Sequence, residues 1–221
     1  MTYQPDLAVA AASAAIQQLV ELAKQLGIDH LILLSGRGEA GAQRAEKIVQ
    51  DSGLNWNVVR ASWFAQNFSE SFMLDGILAG QLALPADQVL EPFVDADDIA
   101  DVVVATLTNP ALQRQIFEVS GPRALRFSDC VHAISQACGR PIQYRPIPLA
   151  PFLQALARSG ASQEMRGLMA ELFGEVLDGR NSHIANGVEQ ALGRPAADFS
   201  DYIAKTLASG VWTPAIPATA D

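Results

Sequence analysis

Two short apolar runs stand out against a background of helical periodicity. Residues 30–35 (HLILLS) and 54–62 (LNWNVVRAS) have the length of strands. A near-continuous apolar run suits a parallel strand buried on both faces. Between them, residues 42–52 (AQRAEKIVQDS) predict a helix that Gly53 ends. Ahead of them, residues 6–26 predict another, with Pro5 in its early turn and Gly27 as its stop. Strand, helix and strand joined by short loops make a βαβ unit, which builds a parallel sheet with right-handed crossovers. Residues 63–78 read as mostly helical.

Beyond residue 80 the pattern is less regular. QLALP and VLEPFVD are strand-like pieces. Residues 96–109 predict a strong helix whose acidic first turn complements the helix dipole. Strands follow at 115–121 and 142–147, with a helix over 127–138 between them. From Pro148 onward the pattern is helical, over 149–159, 162–177, 184–192 and 198–209. The fold class is therefore α/β: a partial parallel sheet over residues 1–110, and a mainly helical part over 111–221 packed onto it as one unit.

Composition narrows the function classes. With 49% hydrophobic and 18% charged residues, a packed core is expected rather than disorder. A net charge of −9 argues against a nucleic-acid surface, which needs clustered Lys and Arg. No apolar run reaches the roughly 18 residues of a membrane span, and the start of the chain has no signal-peptide pattern. Cys130 and Cys138 sit eight apart on one predicted helix, about 12 Å from each other. That is too far for a disulfide, and free thiols fit a cytoplasmic location.

Residues 36–41 (GRGEAG) match G-x-G-x-x-G between a strand and a helix, the context of a dinucleotide-binding turn. Arg60, on the next strand, would suit an adenosine 2′-phosphate. Two features oppose that reading: Glu39 places a negative charge inside the loop, and a helical segment precedes the strand. The alternative is a glycine-rich turn at the carboxyl end of a strand, facing the ligand crevice of an open sheet. His30 reads as a strand-edge residue with a satisfied ring, His132 as structural or exposed, and His183 as a loop residue able to reach a cleft. These spacings do not form a metal site. Asp95, Asp97, Asp98 and Asp101 read as a capped helix start, with Asp98 bonding neighbouring backbone. Phe64, Phe68 and Phe72 recur every fourth residue, which fits either an apolar helix face or, with Trp63, an aromatic substrate wall. Arg180 and Asn181 follow a helix end that would face a cleft.

Several segments together resemble the NmrA-like branch of the atypical short-chain dehydrogenase/reductases. They are PDLA at 5–8, HLILLSGRGE at 30–39, SGLNWNVVRASWFAQNFSE at 52–70, EPFVDADDIADVVVATLT at 91–108 and VSGPRALRFSD at 119–129. The later GEVLDGRNSH at 174–183 and LGRPAADFSDYI at 192–203 extend the likeness towards bacterial relatives of the ergot-alkaloid reductases. Its most specific parts are V-x-R-x-x-x-F-x-x-N at 58–67 and F-V-D-x-x-D-I-A at 93–100.

The resemblance implies a partial Rossmann-like, NAD(P)-binding domain and a helical, substrate-side subdomain. HLILLS becomes the fourth strand of the parent fold, so that Ser35, Gly36, Arg37 and Gly38 lie beside the nicotinamide ribose. Ala61, Ser62, Trp63 and Phe64 line the nicotinamide pocket, and Phe64, Asn67 and Phe68 face the substrate. Asp95 and Asp98 tie the sheet to the C-terminal part. The family's glycine-rich first turn would lie ahead of PDLA, with three strands and two helices outside this sequence. That expectation leaves an apolar sheet edge at 30–35 and, with it, a homo-oligomer formed through this edge. The family's Tyr-x-x-x-Lys pair does not occur in this chain, and Ala42 stands where many relatives carry a lysine. The implied activity is hydride transfer from NADP or NAD to a small apolar imine, quinone or related substrate. The alternatives are a non-enzymatic cofactor sensor or interaction protein, and an inactive fragment.

Overall fold

The computed structural model describes residues 7, 9 and 11–214. The first helix, α1 (Ala12–Gln25), starts six residues later than its periodicity predicts. The predicted start at Pro5 and Asp6 lies outside the described residues. The βαβ unit follows as β1 (His30–Gly36), α2 (Ala40–Gln50) and β2 (Asn55–Ala61). β1 and β2 run parallel in register from His30 opposite Asn55 to Gly36 opposite Ala61.

The predicted helix over 63–78 is two short pieces, α3 (Asn67–Glu70) and α4 (Met73–Leu78). Ser71 is the reason. Its backbone is extended, and its hydroxyl donates to the Asn67 carbonyl at 2.7 Å, a local bond that competes with the helical ladder. The chain continues through β3 (Gln81–Leu84) to α5 (Ala96–Thr108) and β4 (Gln115–Val119). The VLEPFVD segment is not a strand. It makes only single bridges, Glu91 to Leu125 and Val94 to Phe64.

Next come α6 (Phe127–Ala137), β5 (Gln143–Pro146), α7 (Leu149–Arg158) and α8 (Gln163–Glu171). The helix predicted over 162–177 switches after α8 to a π-helical turn, Leu172–Val176. The last two helices are α9 (Gly187–Leu192) and α10 (Phe199–Ser209). The sheet order is β1-β2-β4, all parallel, and β3 pairs with β5 in a second parallel pair. The sheet thus reaches past residue 110: β4, from the part read as mainly helical, is its third strand.

The architecture is a mixed α/β, Rossmann-like one, and side-chain alternation explains its layers. On one face of the sheet Leu31, Leu33 and Val58 pack against Ile16 and Val20 of α1 and Ala45 and Val49 of α2. On the other, Ile32, Val59 and Phe117 meet Val102 and Val103 of α5 and Val188 of α9. A third, larger core is shared between residues 65–93 and the C-terminal part. Phe68, Phe93, Phe127 and Phe199 stack edge-on or tilted there, with ring centroids 5.0–6.1 Å apart.

Asp95 and Asp98 join the parts. Asp95 caps α5 by accepting from the Asp97 N–H at 3.1 Å and pairs with Lys205 of α10 at 2.9 Å. The Asp98 carboxylate does not accept from neighbouring backbone, as its position suggests it would; only its N–H meets a neighbour, the Asp95 carbonyl at 3.1 Å. The carboxylate accepts from the distant Ala197 N–H at 2.7 Å and pairs with Arg194 at 2.6 Å. Both ties run from the start of α5 to the C-terminal part, to Lys205 on α10 and to Arg194 and Ala197 in the loop before it.

Candidate functional site

A cleft of about 210 Å³ opens at the carboxyl ends of β1 and β2. This end of a parallel sheet is where open α/β folds bind ligands. The end of β1 and the loop after it contribute Ser35, Gly36, Arg37 and Glu39. The segment after β2 contributes Ala61, Ser62, Trp63, Phe64 and Asn67. Leu7, Leu34 and Phe72 add apolar surface, and Met169 and Leu172 close the wall from α8 and the π-helical turn. π-Helical turns recur at functional sites.

The polar groups fall into two sets. The strand register places Ser35, Arg60 and Glu118 abreast across β1, β2 and β4. Glu46 reaches down onto this row from α2. It accepts from the Ser35 hydroxyl at 2.6 Å and from Arg60 Nε and Nη2 at 3.0 and 2.5 Å. Arg60 Nη1 donates to Glu118 at 2.7 Å. Hydrogen bonding to Glu46 holds the Arg60 guanidinium above its ordinary value. Arg60 is therefore committed within the sheet and not held out for a 2′-phosphate.

The second set surrounds Arg37, which is 4% exposed. Its Nη1 donates to the Ser62 hydroxyl at 2.8 Å and the Asn181 carbonyl at 3.2 Å, and its Nη2 to the His183 carbonyl at 3.1 Å. The His183 ring lies 2.7 Å from the same nitrogen. Burial lowers the pKa of this guanidinium. Beside it, Glu91 is 2% exposed and accepts from the Trp63 N–H at 3.2 Å. Desolvation pushes its carboxyl up to about 7, although Trp63, Arg37 and Ser62 all favour the charged form.

Of the residues read as cofactor- or substrate-facing, Ser35, Gly36, Arg37, Ala61, Ser62, Trp63, Phe64 and Asn67 come together around this one cleft. Gly38 does not line it. It has φ +77°, and a Cβ there would meet Asn181 Nδ2 at 2.3 Å, so the glycine lets the turn and the 181–183 loop close together. Phe68 lies in the third core with no exposed surface. The even spacing of Phe64, Phe68 and Phe72 is broken at Ser71, so Phe64 and Phe72 reach the cleft while Phe68 points away from it. Asn181 braces Arg37, and exposed Arg180 pairs with Asp178 at 2.6 Å. His30 bonds Asn57 at 3.0 Å, His132 is exposed, and both thiols are free. Glu91 and the Met169–Leu172 wall escaped the sequence reading, which places Glu39 in the loop as a charge opposing a pyrophosphate. The one signal for Glu91 was an acid inside the otherwise apolar VLEPF.

The glycine-rich turn does not fit a pyrophosphate. The Glu39 carboxylate lies over Gly36, where a Cβ would meet its Oε1 at 2.1 Å. The space that phosphate oxygens would need holds an anionic side chain. The cleft itself fits a nicotinamide better. It has aromatic and aliphatic walls for a ring, and hydroxyl, guanidinium and carboxyl groups for an amide. Among the described residues, no group of three or more His, Cys, Asp or Glu is placed to hold a metal ion. No described helix is long and apolar enough to cross a membrane.

A Rossmann-like sheet with a ligand cleft at its strand ends defines the class. Known proteins make it more specific, although no family model matches the chain. It is 29% identical over 196 residues to NAD(P)H azoreductase of Xenophilus azovorans, covering 83% of this chain and 67% of that one. It is 24% identical over 203 residues to agroclavine dehydrogenase of Claviceps fusiformis, covering 88% and 70%. Two further relatives are matched over only 55% and 56% of their length, so the chain spans little more than half of them. The fold matches an NADPH-dependent quinone oxidoreductase of Escherichia coli (TM-score 0.74, 16% identity, 90% of this chain and 73% of that one). It also matches NmrA, a negative transcriptional regulator solved with NAD (TM-score 0.56, 18% identity, 91% and 73%). The chain is thus similar in sequence to oxidoreductases and shares its fold with the solved reductases and with NmrA.

Proposed function

We propose that this chain carries the nicotinamide and substrate side of an NAD(P)-dependent reductase acting on a small apolar imine, quinone or related acceptor. One observation carries the reading. The loops after two adjacent parallel strands supply eight of the ten residues expected at such a site, and they converge on a single cleft. When bound, the nicotinamide supplies hydride. The chain's own residues bind and orient: Trp63, Phe64, Met169 and Leu172 exclude water from a planar acceptor, and the Arg37–Ser62 pair holds polar edges. The azoreductase and quinone oxidoreductase relatives support an apolar acceptor.

Titration calorimetry with NADPH and NADH, followed by turnover on azo dyes, quinones and cyclic imines, tests the proposal. Expected are micromolar binding of one of the two and reduction of at least one acceptor class. Absence of binding at millimolar cofactor overturns it. Binding with no turnover across the panel would favour the second reading, a cofactor sensor. That reading draws on the missing Tyr-x-x-x-Lys and on a Ser35 hydroxyl already donated to Glu46.

A further inference from the structure

Hydride transfer to a C=N, N=N or quinone C=O bond leaves an electron pair on the second atom, and that atom needs a proton. The family's usual donor pair is absent from this chain, and the Ser35 hydroxyl already donates a hydrogen bond to Glu46 at 2.6 Å. Arginine does not release a proton in this range. We propose that Glu91 is the proton donor of the cleft and delivers its carboxyl proton to the acceptor atom next to the one that receives hydride. This rests on the reductase reading above.

The placement of Glu91 is fixed from two directions. Its backbone exchanges both N–H···O bonds with Leu125, at 2.9 and 3.0 Å. Its carboxyl is held by the N–H of Trp63, whose ring packs edge-on against Phe127 and Phe173 at 5.6 and 5.3 Å. A proton donor has to be held in this way, because general acids act only within hydrogen-bond reach of their target. The groups facing it are few. Arg37, itself shared with Glu118 and His183, comes from the loop after β1. Ser62 and Trp63 come from the segment after β2. Glu39, at the start of α2, lines the same cleft. Burial thus pushes this acid up to about 7, where it can release a proton near neutrality, and its anion has a serine hydroxyl, a backbone N–H and a guanidinium to receive it.

The step balances. A bound reduced nicotinamide would supply hydride, one proton with two electrons, and the new C–H or N–H bond would form as the acceptor π bond breaks. The electron pair left on the neighbouring nitrogen or oxygen takes the proton as the Glu91 O–H bond breaks. The carboxylate that remains is reprotonated from solvent after product leaves.

The test compares the wild-type chain with Glu91→Gln, which keeps an oxygen to accept from Trp63. Carbon-13 NMR of carboxyl-labelled glutamate should show one resonance titrating near pH 7 that the variant lacks. The variant should bind nicotinamide within about threefold of wild type. It should lose on the order of 100-fold in turnover, the scale of general-acid catalysis, along with the fall in rate above pH 7. Glu91→Asp keeps an acid on a shorter stem and should turn over faster than Glu91→Gln. It serves if the glutamine variant does not fold. A carboxyl that titrates in the ordinary glutamate range, or a glutamine variant within a few-fold of wild type with an unchanged pH profile, overturns this role and leaves the reductase reading standing. A wild-type chain that binds no nicotinamide overturns both.

Discussion

Glu46 and Glu91 are equally buried, each 2% exposed. Their surroundings differ in one respect. Glu46 has a guanidinium squarely against it, with Arg60 Nε and Nη2 at 3.0 and 2.5 Å, plus the Ser35 hydroxyl. Glu91 has a backbone N–H and a serine, while the nearest guanidinium, Arg37, spends its donors on Ser62, Asn181 and His183. Burial alone does not decide what a carboxyl does. A carboxyl given a full partner holds strands and helix together, whereas one given half a partner keeps a proton it is able to lend.

The largest effect is expected from breaking the first arrangement. Arg60→Leu strands Glu46 in the sheet face without its counter-charge, and removing one partner of a buried pair costs about 3–5 kcal/mol. A urea-unfolding midpoint would register that loss at once. The double variant Arg60→Leu/Glu46→Leu should recover most of it, because no fully buried carboxylate is then left unpaired and the half-exposed Glu118 keeps Arg37 at 3.7 Å. A single-variant loss below about 1 kcal/mol would erase the contrast, since Glu46 would then need no partner.

The next effect comes from Glu91 and depends on pH. Its folded pKa of about 7 lies above the ordinary 4.5. The folded state therefore holds the proton where the unfolded chain has lost it. The stability this gives is full below about pH 4.5 and is lost as pH rises to about 7, a swing on the order of 3 kcal/mol. Glu91→Gln carries no such proton. Unfolding measured from pH 5 to pH 8 should fall for wild type and, at this site, stay level for the variant, leaving the variant the more stable at pH 8. Parallel curves for the two would mean that Glu91 ionises as freely folded as unfolded.

The same two residues show what was legible in the sequence. β1, α2 and β2 were readable because their signals are local: apolar runs of strand length, a period-3.6 segment and a glycine stop. The loops around the cleft were readable only through the family resemblance. Arg60 was open to misreading because its sequence position, at the end of a strand, suits a phosphate contact as well as an ion pair. Only the register that sets it beside Ser35 and Glu118 distinguishes the two. The break at Ser71 was hidden because a serine hydroxyl competing for a helix carbonyl leaves the aromatic spacing untouched. Glu91 was invisible for a physical reason. Its character comes from Trp63, Ser62 and Arg37, which lie 28 or more positions away and meet it only once the segment after β2 is bridged to the 91–94 segment at Phe64 and Val94.

The smallest effect separates the proton-holding role of Glu91 from simple burial. The Ser62 hydroxyl favours the charged form of Glu91, against the larger influence of desolvation. Ser62→Ala should therefore move the Glu91 titration further up, not down. The cost in stability should be about 1 kcal/mol, typical of one hydrogen bond, as Arg37 Nη1 keeps the Asn181 carbonyl. A carboxyl-carbon NMR titration reads the direction without any ligand present. If the midpoint falls, Ser62 opposes the anion rather than receiving it, and the group that accommodates the carboxylate after proton transfer would have to be Trp63 and Arg37 alone. If it rises, Glu91 owes its proton to dryness and its recovery to the serine, the half-partnered state that sets it apart from Glu46.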